Sequence, residues 1–131
     1  MMMSWQTILA IGSGGFLGAV LRAYLNGFIN SRVVHSLPLG TLGVNLLGSL
    51  IMGSLFAYFM QTSTLSVHMK SFLTTGFLGA LTTYSTFAME TFWLLEGGSF
   101  LLALTNMALN VFGTVAMAGL GFYIIKLIFK V

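Results

Sequence analysis

The sequence predicts an all-α integral membrane protein of four transmembrane helices, and three observations carry that prediction. Of its 131 residues, 57% are hydrophobic and 5% are charged, against roughly a quarter charged in a soluble domain. Such a surface is solvated by lipid rather than water. Four apolar stretches each reach the roughly 20 residues that a helix needs to cross a bilayer core. Short polar or glycine-rich segments separate them, so residues 1–131 read as a single four-span domain.

The first span, Trp5–Phe28, has no positive charge ahead of it; the first basic residue is Arg22. A secretory leader carries a basic segment before its apolar run, so this stretch reads as a retained helix. Asn30-Ser31-Arg32 through His35-Ser36 forms a loop that ends at Pro38. Proline suits a first helical turn, where its missing N–H is not needed. The second span is Leu39–Met60. Gln61-Thr62-Ser63-Thr64, then His68 and Lys70, fills the next gap, and Phe72–Leu95 is the third span. Glu96-Gly97-Gly98-Ser99 is a turn short enough to force the fourth span, Phe100–Phe129, to return antiparallel beside the third.

Four spans place both termini on one side, together with Lys70, Lys126 and Lys130; Arg32 and, by depth, Arg22 belong to the other. That small excess favours cytoplasmic termini under the positive-inside rule, and the near-balance also suits a chain that inserts in both orientations. No cysteine is present, which excludes disulfides and thiolate metal sites. Five scattered basic residues make no nucleic-acid surface. Nor does any nucleophile–base pair or metal-ligand cluster point to an enzyme.

A bundle this small has little room to enclose a watery path alone, which argues for an oligomer. Gly14 with Gly18, Ser49 with Gly53 and Gly79 with Thr83 stand at the small-xxx-small spacing that lets helices approach closely in lipid, either between subunits or within one.

Polar side chains are costly in mid-membrane and so mark function. Arg22 and Glu90 are the ionisable candidates; Arg22 is near enough to the end of its span to reach the headgroups instead. Thr41, Asn45 and Ser49 recur every four residues, as do Thr82, Thr86 and Glu90, and Asn106, Asn110 and Thr114. Residues at that spacing share one helix face, so three helices carry polar stripes. One threonine can bond its own helix, and one asparagine can glue two helices. Three converging stripes point to a solute pathway. A divalent-cation path would need rings of carboxylates, and a proton-coupled pump would need a titratable relay. Here His35 and His68 fall in the gaps as surface residues, and amide and hydroxyl donors suit a small anion or a neutral solute.

The third span holds the densest pattern, Gly76 through Phe87. Two glycines followed by a threonine- and serine-rich run make a poor helix, so a break near mid-membrane is expected, with carbonyls freed to bind an ion. Tyr84 and Phe87 are three apart, on adjacent parts of one face. Their ring edges, the positive end of the aromatic quadrupole, either pack on neighbouring helices or face an anion.

Gly79-Ala80-Leu81-Thr82-Thr83-Tyr84-Ser85-Thr86-Phe87, on to Glu90, closely resembles the signature of the Fluc fluoride-channel family. Gly14-Gly15 with Arg22 resembles that family's first helix, and Leu37-Pro38-Leu39-Gly40-Thr41-Leu42 leading to Asn45 its second. The resemblance covers essentially the whole chain. It implies a passive, fluoride-selective channel of the cell inner or plasma membrane that exports fluoride from the cytoplasm and so reduces its toxicity. It also implies an antiparallel, dual-topology dimer with a sodium ion at the interface. By motif position, backbone carbonyls of Gly79 and Thr82 would hold the sodium, and Asn45 would be the pore asparagine. Tyr84 and Phe87 would form the aromatic box. Arg22, Ser85, Thr86 and Glu90 would belong to the ion pathway, with Asn110 and Thr114 adding donors from the fourth helix.

Two positions depart from the family pattern, Tyr84 where phenylalanine is usual and Gly79-Ala80 where Gly-Gly is usual. Some family members pair two different chains, and Tyr84 would suit such a subunit. The rival readings are therefore an obligate partner subunit of a heterodimeric channel and a small multidrug transporter. The latter relies on an acid in its first helix, and the first span here has none.

Overall fold

Ser4 starts the first helix by accepting the Thr7 amide on its hydroxyl at 3.2 Å, which satisfies one of the orphan N–H groups of a helix start. The helix it caps, α1, runs Trp5–Arg32. The computed structural model describes residues 3–33 and 35–130. They are overwhelmingly helical, and no strand occurs among them. Pro38 caps α2 (Leu39–Gln61) from just outside its first turn. α5 (Phe100–Phe129) is a single uninterrupted helix of 30 residues. These three are each long and apolar enough to cross a bilayer.

The third span differs. Its first half, α3, opens with Val67–Ser71, where the Ser66 hydroxyl accepts the Met69 amide. It widens into a π-helical stretch, Phe72–Leu78, and closes with one α turn, Gly79–Leu81. Thr82 (φ −83°, ψ 156°) and Thr83 (φ −149°, ψ 118°) are extended. α4 then runs Tyr84–Glu96, its N-terminus capped by the Thr83 hydroxyl, which accepts the Thr86 amide at 3.3 Å.

The expected break is thus present, but it falls on the threonines and not on the glycines. β-branched side chains tolerate extended backbone, whereas Gly76 is spent on helix contact. A Cβ there would sit 2.7 Å from the Ile11 carbonyl oxygen. Helix also begins earlier than expected, at Val67, so exposed His68 sits in the first turn of α3 and not in a loop.

α1 packs along α3, α2 along α5, and α4 against α5. In the turn before α5, Gly98 takes φ +76°, open to glycine without strain, and the Ser99 amide donates to the Leu94 carbonyl at 2.8 Å. Three of the small residues so spaced are occupied inside the chain. Gly14 and Gly18 lie against the backbone of Phe72 and Phe77, and Gly53 lies against the Ala118 carbonyl. Their spacing therefore argues for intrachain packing and says nothing about an oligomer.

Polarity is inverted relative to a soluble protein. Thr41, Asn45, Thr83, Thr91, Asn106 and Asn110 are buried, while Phe16, Phe112 and Leu127 are largely exposed. Lipid tails solvate the latter, and the former must satisfy one another.

Candidate functional site

The site is built around the break in the third span. An uninterrupted helix would donate the Thr83 amide to the Gly79 carbonyl and the Thr86 amide to the Thr82 carbonyl. Here Thr83 N–H donates to Asn45 Oδ1 at 2.8 Å, and Thr86 N–H goes to the Thr83 hydroxyl. Both carbonyls are therefore released from helical pairing by side chains that take their donors. Arg22 Nη1 donates to the Thr82 oxygen at 3.3 Å, so Arg22 turns inward to the break, where it is half-buried, instead of reaching for headgroups.

Asn45 grips Thr83 on both of its backbone groups, because its Nδ2 also donates to the Thr83 carbonyl at 3.1 Å. The same Nδ2 donates to Asn110 Oδ1 at 2.9 Å. Asn110 Nδ2 donates to the backbone oxygen and Oδ1 of Asn106, both at 3.1 Å. Asn106 Nδ2 donates to the Thr91 hydroxyl at 3.0 Å, which in turn donates to the Phe87 carbonyl at 2.8 Å. This buried chain of amides and hydroxyls ties α2, α4 and α5 together with no charged member. Low dielectric strengthens such a network when every group is paired.

A cavity of about 310 Å³ opens beside it, lined by Asn45, Thr82, Tyr84, Phe87, Asn110 and Thr114 among others. Tyr84 and Phe87 meet edge to face with ring centroids 5.3 Å apart. They are unequal partners, Phe87 being 6% exposed and Tyr84 78%. The Thr114 hydroxyl is directed to the Asn110 carbonyl of its own helix.

Glu90 lies elsewhere. It lines a second cavity of about 490 Å³ with Asn30, His35, Trp93 and Ser99. Its Oε1 accepts the Thr41 hydroxyl at 2.6 Å, and its Oε2 is buried without a partner among the described residues.

Of the expected site residues, the structure gathers Asn45, Thr82, Tyr84, Phe87, Asn110 and Thr114 around one cavity and sets Arg22 against the break. Gly79 lies in the turn before it. Ser85 is exposed on the first turn of α4, and Thr86 is engaged with Thr83. Thr82, Thr86 and Glu90 form no common stripe, because the two extended residues reset the helical phase between Thr82 and the others.

Sequence reasoning missed Asn26 and Asn30. Asn26 Nδ2 donates to the Thr41 hydroxyl at 3.2 Å, and Asn30 Nδ2 donates to Asn26 Oδ1 at 2.6 Å. Their four-residue spacing is the same signal that marks the other stripes. A first span ending at Phe28 leaves Asn30 outside the helix and so breaks the pair.

Comparison with known proteins matches residues 9–122 to the family described as CrcB-like protein, Camphor Resistance (CrcB). A protein named fluoride-specific ion channel FluC from Sulfurimonas denitrificans is 68% identical over 125 residues, 95% of this chain and 97% of that protein. One of the same name from Nautilia profundicola is 48% identical over 128 residues, covering 98% and 100% of the two chains. Another, from Campylobacter jejuni strain RM1221, is 48% identical over 121 residues, 92% and 98% of the two.

Proposed function

The chain belongs to the CrcB-like family, and on that premise we propose that it is a passive fluoride-selective channel working as an antiparallel dimer. It is a multi-pass protein of the cell membrane, and it carries fluoride out of the cytoplasm, which limits fluoride toxicity.

The observation that carries this reading is the buried, uncharged chain of donors from Thr83 through Asn45 and Asn110 beside an aromatic-edged cavity. Fluoride is small and holds its water tightly. A selective pore must replace that shell with close donors, yet bind weakly enough to release the ion. Amides and hydroxyls meet both demands, and the edges of Phe87 and Tyr84 add attraction without a fixed charge. Arg22, Ser85, Thr86, Glu90 and Thr114 complete the proposed pathway.

Dimerisation is supported by the exposure of Tyr84, whose ring belongs to the cavity edge yet is uncovered in a single chain. The residues fit a sodium ion at the interface. Gly79 and Thr82 present carbonyls released from helical pairing, and a carbonyl oxygen has two lone pairs, so Thr82 can accept from Arg22 and still face an ion. When bound, sodium supplies a fixed positive charge that ties the two copies together. Asn45 keeps both carbonyls available by holding Thr83 out of the helix.

Purified chain in liposomes loaded with potassium fluoride or potassium chloride, with valinomycin added, tests the reading. Rapid fluoride efflux with negligible chloride efflux is expected. No efflux from a folded dimer would sink the self-sufficient channel and favour a heteromeric partner. In the same assay Tyr84→Phe is expected to keep the fluoride rate within about threefold, the scale of one modest hydrogen bond. A larger loss would show that the hydroxyl itself contacts the ion.

A further inference from the structure

Asn30, which lines the second cavity, is held by a group whose polarity cannot be reversed. The Gly40 backbone N–H can only donate, and it donates to Asn30 Oδ1 at 2.9 Å. That contact fixes which way the Asn30 amide faces, so its Nδ2 donates to Asn26 Oδ1. Asn26 is fixed in turn, and its Nδ2 donates to the Thr41 hydroxyl oxygen. A hydroxyl has one hydrogen. With its oxygen already accepting from Asn26, Thr41 turns that hydrogen to Glu90 Oε1. Every bond runs in one sense, from a backbone amide in α2 through two α1 side chains back to α2 and on to α4.

The packing supports this arrangement. A Cβ on Gly40 would meet Asn26 Oδ1 and lie 2.8 Å from Asn30 Nδ2, so the relay needs the space that glycine leaves. At its far end Glu90 Oε1 is held by Thr41, while Oε2 is buried and has no partner among the described residues.

We propose that Asn26 and Asn30 are positioning residues of the ion pathway, locking Thr41 as a donor to Glu90 Oε1 and so fixing the orientation of the Glu90 side chain at the second cavity. The proposal rests on the fluoride-channel reading. Neither asparagine touches the ion; both act through Thr41.

Asn26→Asp separates positioning from packing, because it keeps the shape and the acceptor for Asn30 but removes the donor to Thr41. The Thr41 hydroxyl then donates to the introduced carboxylate and releases Glu90. Fluoride efflux from liposomes is to be measured for wild type, Asn26→Asp, Asn26→Ser, Thr41→Val and the double variant that combines Asn26→Asp with Thr41→Val, each with its melting temperature. The relay predicts that Asn26→Asp falls about tenfold, the scale of one hydrogen bond to a charged group. Asn26→Ser, which can still donate through water, keeps more of the rate. In the Thr41→Val background Asn26→Asp adds little further loss, because the hydroxyl it acts through is gone. Full additivity of the two substitutions, or an unchanged rate in Asn26→Asp, overturns the relay while leaving the channel standing. A non-conducting wild type would remove both.

Discussion

Asn45→Leu abolishes fluoride conduction, lowering efflux by about a hundredfold or more, a barrier change of about 2.7 kcal/mol. It also destabilises the fold. Leucine fills nearly the same space but strands three buried groups: the Thr83 N–H, the Thr83 carbonyl and Asn110 Oδ1. Each unsatisfied buried group costs about 1–3 kcal/mol, with no water in the bilayer core to relieve it. Asn45→Asp divides the two effects. Its carboxylate still accepts from Thr83 N–H, so the break persists, but it faces the Thr83 carbonyl and Asn110 with a second acceptor where a donor is required. Efflux assays paired with thermal unfolding in detergent should therefore find Asn45→Asp nearer wild type in stability than in rate. A conducting Asn45→Leu would show that the break holds without its amide clamp.

Gly53→Ala and Gly121→Ala carry the largest expected structural cost. The two glycines seat α2 and α5 against each other reciprocally. A Cβ on Gly53 would collide with the Ala118 carbonyl, and one on Gly121 with the Leu50 carbonyl. Ser54 Oγ, which donates to that same Leu50 carbonyl at 2.9 Å, would stand 2.7 Å from the Gly121 Cβ. Backbone cannot yield as a flexible side chain can, so the helices must part. Overpacking costs about 1–3 kcal/mol where relaxation is possible, and these sites fall at or beyond the upper end. Separation would also pull Asn45 away from Asn110. The expected readouts are a lowered melting temperature and aggregate on size-exclusion chromatography. Gly119→Ala is the internal control, since none of the described residues lies within 4 Å of its Cβ. Equal melting of all three variants would refute the reciprocal seat.

How much of the fold and the site is readable in the sequence depends on which physics carries each element. The long helices α1, α2 and α5 are legible from the length of their apolar runs. The four-residue recurrence of Asn45, Asn106 and Asn110 with their hydroxyl neighbours announces a buried polar seam. That the third span breaks is also legible from its threonines and glycines. Which of them breaks it is not, because contacts assign the roles. Gly76 is consumed by α1, and Thr83 is claimed by an asparagine 38 residues away. The Asn26–Asn30 pair is hidden because α1 runs on to Arg32, past the end of its apolar stretch. No local signal distinguishes small residues that join helices within a chain from those that join chains, and Gly14, Gly18 and Gly53 prove to be of the first kind.

The split third span also constrains how the chain is assembled during synthesis. α4 has 13 residues, which span about 20 Å, well short of the roughly 30 Å core. It cannot enter the bilayer as an independent crossing, so α3 and α4 must be delivered as one apolar segment. Extended backbone at Thr82–Thr83 is intolerable against lipid alone. The break is therefore tolerable only where a neighbouring helix supplies a partner amide. Asn45 meets that requirement because α2 precedes α3 in the chain. Asn110, which orients the Asn45 amide from α5, arrives last. The break is thus a tertiary feature, held by capture from a neighbouring helix and not encoded by its own segment alone.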